Sequence, residues 1–178
     1  AAACAGPVSR YVGCLGRELH FVEWGPASAP AVFLWHGLAR TGRDFDDLAR
    51  VLAAHYRVIC PDTLGRGLSQ WSPEPAAEYC LAFYVRLAVS LLDQLGLPRV
   101  GWLGTSMGGA IGLRAAATSL RGRITRLLLN DIGPRLAPPA VERIRAYAGS
   151  PPAFGAVSEL EQYFRTVYAP YGWLSDAQ

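Results

Sequence analysis

The chain has 178 residues, of which 51% are hydrophobic and 17% charged, with a formal net charge of +3. That is enough for one globular domain with a real core, and no run of eighteen uninterrupted apolar residues offers a membrane span. The charge is small and the arginines are scattered singly, so the basic footprint of a nucleic-acid-binding protein is not indicated. All 17 basic residues are arginine. With Ala, Gly and Pro abundant, this reads as the mark of a GC-rich coding sequence, and it removes every mechanism that needs a lysine. Cys4, Cys14, Cys60 and Cys80 show no Cys-x-x-Cys pairing and no histidines at metal-ligand spacing. Cys60 ends an apolar run and reads as a buried free thiol, so a reducing cytoplasm is the expected compartment. Ala1-Ala2-Ala3-Cys4 lacks the charged and apolar regions of a lipoprotein signal, and the first residue is not methionine, so a native translation start is not expected there.

In chain order, two short strands, roughly Arg10–Cys14 and Glu18–Trp24, surround a turn at Gly16, and Gly25-Pro26 ends them. Ala31–Trp35 is a continuous apolar strand followed by His36-Gly37. The stretch from Asp44 to Ala54 has helical spacing, with Phe45, Leu48 and Leu52 on one face. Arg57–Cys60 is a further strand stopped by Pro61, and the loop Gly65-Arg66-Gly67 leads into a Pro-rich stretch to Pro75. The clearest helix runs from Glu78 to Leu95, with Leu81, Val85, Ala88 and Leu92 repeating at four, three and four. Gly96 caps it and Pro98 prevents continuation. A strand at Val100–Leu103, a helix to about Leu120 and a strand at Ile124–Asn130 follow. Beyond Gly133-Pro134 the pattern changes to two amphipathic helices, near Ala140–Ala148 and Ser158–Val167. The second is read as starting on a Ser158/Glu161 capping box, and Ser175-Asp176 reads as the start of another helix. Strands apolar throughout and alternating with helices imply a mostly parallel sheet covered on both faces, an α/β three-layer sandwich. The domains expected are a core over 1–133 and a second segment over 134–178.

Gly104-Thr105-Ser106-Met107-Gly108 lies on the corner between a strand and a helix. A serine between two glycines at such a corner is a nucleophile elbow: only residues without bulk fit beside it, and the serine hydroxyl is pushed out of the sheet. From 19 Gly and 10 Ser, the pentapeptide is expected by chance in about one chain in nine, and with Gly109 in roughly one in eighty. Two further segments agree with it. His36-Gly37-Leu38 at the end of the third strand resembles the oxyanion loop of the α/β-hydrolase superfamily. Asp62 through Gly65-Arg66-Gly67-Leu68-Ser69 resembles that family's loop after the fourth strand. The resemblance covers nearly the whole chain and is nearest to the cap-bearing group that includes enol-lactone hydrolases and meta-cleavage-product hydrolases. Leu129-Asn130-Asp131-Ile132-Gly133-Pro134 is the kind of strand exit from which that group's helical cap departs.

The resemblance implies acyl transfer on an ester, lactone or activated carbon–carbon bond of a small acyl substrate. Ser106 would attack the carbonyl carbon, and the backbone N–H groups of Leu38 and Met107 would hold the oxyanion. His36, Gly37, Gly104, Gly108 and Gly109 would shape the loop and elbow. The alternative for Ser106 is a helix cap. In this fold the triad runs serine, acid, histidine in chain order, yet His20, His36 and His55 all precede the serine. His36 is expected to shape its loop, and His20 and His55 to be partly solvated. Asp131 is the candidate acid, or a turn former at the cap entry; Asp62 is expected to shape its loop. The family also implies two more strand–helix units, some 60 residues or more, after the cap. The chain is therefore expected to be an inactive fragment lacking the catalytic histidine, against a partner-dependent polypeptide or a non-catalytic binding relative. A dinucleotide-binding unit is the rival from another mechanism class, but a G-x-G-x-x-G ending at Gly112 needs glycine at Met107. No metal and no organic cofactor are expected. The partners expected are a small acyl substrate and, left open, a second copy of the chain, with no nucleic acid and no membrane. Tyr147, Phe154, Tyr163, Phe164 and Tyr168 line either an apolar pocket or, as favoured, the cap's own core.

Overall fold

Strands β1 (Val8–Cys14) and β2 (Arg17–Trp24) form an antiparallel hairpin that turns at Leu15 and Gly16, both in the left-handed region. The computed structural model describes residues 6–148, 152–169 and 172. Residues 1–4 and the helix start expected at Ser175-Asp176 lie outside the described residues. After the hairpin come β3 (Ala31–Trp35), β4 (Arg57–Pro61), β5 (Val100–Thr105) and β6 (Ile124–Asn130). The sheet order is β1-β2-β4-β3-β5-β6. β2 also pairs antiparallel with β4, and the three pairings among β4, β3, β5 and β6 are parallel.

Alternation sends successive side chains of each strand to opposite faces. On one face Phe33, Trp35, Ile59 and Trp102 meet helices α3 (Leu81–Gln94) and α4 (Met107–Ala117). On the other, Leu34, Val58 and Cys60 meet Phe45, Ala49 and Ala53, from and around α1 (Asp46–Leu52). A strand apolar at every position suits β3 and β4, because both of their faces are covered, whereas β6 at the edge leaves Leu128 exposed. Each such side chain contributes roughly 1.5–3 kcal/mol when removed from water. The indoles of Trp35 and Trp102 stack at 5.0 Å, almost coplanar. Cys60 is a free, buried thiol, and burial pushes its pKa up, so it acts as a small apolar residue.

Two local expectations are corrected. A 3-10 turn at Gly42–Phe45 precedes α1 and shifts its phase, so Gly42, Phe45, Ala49 and Ala53 point inward while Leu48 is exposed. The helix expected from Glu78 is two: Pro75–Glu78 forms a single turn, α2, and the chain breaks at Tyr79-Cys80 before α3 begins. Its end is as expected. Gly96 takes positive φ, the Leu97 N–H bonds the Leu92 carbonyl at 2.9 Å and the Gly96 N–H bonds the Asp93 carbonyl at 3.1 Å, a Schellman motif.

The chain divides into two units between Leu136 and Ala137. The second holds α5 (Pro138–Ala148) and α6 (Val157–Tyr168). Ser158 is not the cap of α6: the N-cap position is Ala156, and it is Glu159 that accepts the Gly155 N–H at 2.9 Å. Phe154, Tyr163, Phe164 and Tyr168 form a chain of ring contacts at 5.3, 5.6 and 5.5 Å, so these four pack on one another; the Tyr147 side chain lies outside the described residues.

Candidate active site

β5 carries Thr105 to its last position and α4 begins at Met107, leaving Ser106 alone to make the corner. It does so with φ 50° and ψ −113°, a conformation that costs a non-glycine residue of order 1–3 kcal/mol. The neighbouring glycines explain why the corner closes. A Cβ on Gly104 would lie 2.3 Å from the Gly108 carbonyl carbon, and one on Gly108 would lie 2.0 Å from the Trp35 carbonyl oxygen. Gly109 is held likewise between Ile132 and the Gly104 carbonyl. The first turn of α4 therefore sits directly on the ends of β3 and β5. The Trp102 indole N–H donates to the Gly108 carbonyl at 3.1 Å, and the Ser106 N–H to the Asn130 carbonyl at 2.9 Å.

Ser106 stands at the N-cap position of α4 but its side chain makes no capping hydrogen bond. Its hydroxyl has no partner among the described residues, and the residue is half-buried. The cap reading of this serine is thereby removed.

The loop after β3 lies against it: a Cβ on Gly37 would sit 3.7 Å from that of Ser106. His36 fixes this loop. It is fully buried, its Nε2 faces the Thr63 N–H at 2.9 Å, and its Nδ1 faces the Gly37 carbonyl at 2.6 Å. A backbone N–H can only donate, so Nε2 accepts and Nδ1 carries the proton. Burial, the largest cause, holds the His36 pKa below its ordinary value and keeps the ring neutral. The Gly37–Leu38 peptide is trans, so with its carbonyl tied to His36 its N–H points the opposite way. The N–H groups of Leu38 and Met107 have no partner among the described residues. The Met107 N–H belongs to the positive end of α4.

Thr63 and Arg66 were not singled out in the sequence, because their roles come from residues far along the chain. The Thr63 hydroxyl accepts the Trp35 indole N–H at 2.9 Å and lies 3.0 Å from His36 Nε2. Arg66 donates through Nε to the Leu38 carbonyl at 3.0 Å and through Nη1 to Leu64 O and the Tyr84 hydroxyl, at 3.0 and 2.8 Å. Its guanidinium also lies over the rings of Tyr79 and Tyr84. Both carbonyls that flank the Leu38 N–H are thus anchored. Asp62 shapes its loop as expected, accepting the N–H groups of Gly42 and Leu68 at 2.7 and 2.9 Å.

None of the three histidines meets Ser106. His36 spends both nitrogens on its loop. His20 is not partly solvated as expected: it is 2% exposed and bonded to Asp62 and Ser9 at 2.8 and 2.6 Å. His55 is exposed, three residues past the end of α1. Asp131 follows Asn130 at the exit of β6, with φ 55°, exposed and without a hydrogen-bond partner among the described residues.

A doubly covered, mostly parallel sheet with a strained serine corner at the end of β5 defines an α/β hydrolase, and the chain belongs to the alpha/beta hydrolase fold family, whose profile matches residues 30–163. This membership sets the dinucleotide reading aside. Among known proteins, the 3-hydroxybutyrate-oligomer hydrolase of Cupriavidus necator is 43% identical over 173 residues, spanning 94% of this chain and 58% of that protein. Among solved structures, an alpha/beta hydrolase from Novosphingobium aromaticivorans superposes with a TM-score of 0.82 at 36% identity, over 91% of this chain and 57% of that one. The 2-hydroxy-6-oxo-6-phenylhexa-2,4-dienoate hydrolase of Rhodococcus shares the fold, with a TM-score of 0.73 at 23% identity, over 84% of this chain and 56% of that one. The chain therefore spans somewhat over half the length of these relatives. Among the described residues no helix is long and apolar enough to cross a membrane.

Proposed function

We propose that this chain carries the nucleophile and oxyanion half of a serine hydrolase that cleaves small acyl esters. Ser106 attacks the carbonyl carbon, and the N–H groups of Leu38 and Met107 receive the developing oxyanion, each worth roughly 3–4 kcal/mol of barrier. The observation that carries the reading is the unpartnered Ser106 hydroxyl at a strained corner, faced by a loop whose free N–H is turned outward by His36. Lactone or activated carbon–carbon cleavage would use the same groups. The likeness to a 3-hydroxybutyrate-oligomer hydrolase favours esters.

A serine hydroxyl is a weak nucleophile at neutral pH without a base. The chain has 3 histidines, and the partners of His20 and His36 and the place of His55 leave none for Ser106. We assign the base to a histidine outside these 178 residues, with Asp131 as the candidate acid or as the turn at which the 134–178 segment, read as a cap, departs. The 178-residue chain alone is accordingly inactive. The test is hydrolysis of a 3-hydroxybutyrate dimer by a form that includes such a histidine. Ser106→Ala should lower kcat by at least ~10³-fold with the fold intact. Unchanged turnover in that variant would remove Ser106 from the reaction.

A further inference from the structure

His20 is a buried histidine that the site at Ser106 does not use. Its Nδ1 faces Asp62 Oδ2 at 2.8 Å and its Nε2 faces the Ser9 hydroxyl at 2.6 Å. Asp62 accepts the Leu68 N–H on that same oxygen and the Gly42 N–H on the other, so its carboxylate is an acceptor throughout and the His20 proton sits on Nδ1. With that proton on Nδ1, the Nε2 lone pair faces the Ser9 hydroxyl. Hydroxyl, imidazole and carboxylate are joined in the order nucleophile, base and orienter of the base.

The hairpin register explains the arrangement. Tyr11 pairs with His20 and Ser9 with Val22, so Ser9 lies diagonally beside His20 on the same sheet face. β1 is an edge strand and Ser9 is exposed, while His20 and Asp62 are each 2% exposed. An electrophile reaches the hydroxyl from solvent, and the base and its orienter stay dry. The Tyr11 ring, two residues along on the same face, lies 5.0 Å from the His20 ring and gives an apolar wall beside the hydroxyl.

We propose that Ser9 is a second acyl-accepting serine, independent of Ser106, with His20 as its base and Asp62 as the positioning carboxylate. Its substrates are small activated aryl esters, whose ring rests on Tyr11. The Ser9 oxygen bonds to the ester carbonyl carbon while its proton passes to His20 Nε2. The bond from that carbon to the aryl oxygen then breaks, and His20 returns the proton to the departing phenolate. The products are acyl-Ser9 and a phenol, with no change of oxidation state.

The test uses the 178-residue chain as Ser106→Ala, so that its result is independent of the reading at the elbow. The protein is treated with p-nitrophenyl acetate and the acetylated peptides are mapped over time by mass spectrometry. Ser9 should be acetylated at least tenfold faster than Ser28 and Ser119, which are exposed but hydrogen bond to no histidine. His20→Gln, which retains a hydrogen bond but no base, should bring Ser9 down to the rate of Ser28. If that variant is unfolded by circular dichroism, the Ser9 to Ser28 ratio in Ser106→Ala decides alone. Equal acetylation of the three serines overturns the proposal.

Discussion

Gly108→Ala sets two physical effects against each other at the elbow. Gly108 lies in the first turn of α4, and replacing glycine by alanine within a helix ordinarily stabilises it by about 0.8–1.0 kcal/mol. Here the added Cβ would lie 2.0 Å from the Trp35 carbonyl oxygen, 2.5 Å from its carbon and 2.8 Å from the His36 carbonyl oxygen. Ordinary contact begins near 3.4 Å, so α4 must move about 1.4 Å away from β3. The opposing atoms are backbone in a central strand and its exit and cannot rotate aside. Overpacking of this kind costs up to about 3 kcal/mol. The clash wins by about 2 kcal/mol, which in a chain of this size lowers Tm by roughly 4–8 °C. Gly13→Ala is the control. Gly13 lies inside β1 with nothing within 4 Å of an added Cβ and no positive φ, so the strand should gain about 0.5–1 kcal/mol. Thermal and urea unfolding followed by circular dichroism compare the two variants with the parent. A Tm for Gly108→Ala equal to or above the parent's would refute the packing of the elbow helix against β3.

Asp62→Ala strands three donors at once, the Gly42 and Leu68 N–H groups and His20 Nδ1–H; at about 1–2 kcal/mol each the urea-derived stability should fall by roughly 3–6 kcal/mol, and a loss below 1 kcal/mol would show that the network is not formed. Arg66→Ala leaves the Leu38 and Leu64 carbonyls and the Tyr84 hydroxyl without their donor and, at about 0.5–1.5 kcal/mol per hydrogen bond, should lower the urea-derived stability by roughly 1.5–4.5 kcal/mol; an unchanged stability would mean that the loop is held by His36 alone. His36 has its pKa lowered by burial, so between its folded value and about 6.5 the unfolded chain takes up a proton that the folded chain refuses. Stability from this group is complete above about pH 6.5 and declines as pH falls below it; His36→Asn should flatten that part of the stability–pH curve, and an unchanged slope would place the proton elsewhere.

The strands and the elbow were legible because each depends on a short stretch of chain. β3 reads from five apolar residues and the corner from its glycines, and the alternation of strand with helix sets the doubly covered sheet. Where the sequence reading missed, a distant or subtle partner decides. Leu48 carries the helical spacing, but a 3-10 turn ahead of α1 rotates Ala49 inward in its place. Glu78 was assigned to the long helix, yet it turns back to Arg17, 61 residues away, and the helix restarts at Leu81. His20 on a strand looked half solvated; Asp62, 42 residues on, draws it into the interior. At the site, Ser106 and the loop at His36 were visible as motifs. The groups that hold them in place, Thr63 and Arg66, were not, because a hydrogen bond between loops 27 or 28 residues apart leaves no local pattern.

Residue-resolved labelling with a fluorophosphonate tests the role of Ser106 most directly. In a form that supplies a general-base histidine, the adduct should map to Ser106; in the 178-residue chain alone, Ser106 should stay unmodified on the same timescale. A Ser106 adduct forming at full rate in the 178-residue chain would contradict the proposal that its base lies outside these residues, and no adduct at Ser106 in the longer form would contradict its proposed role as the nucleophile.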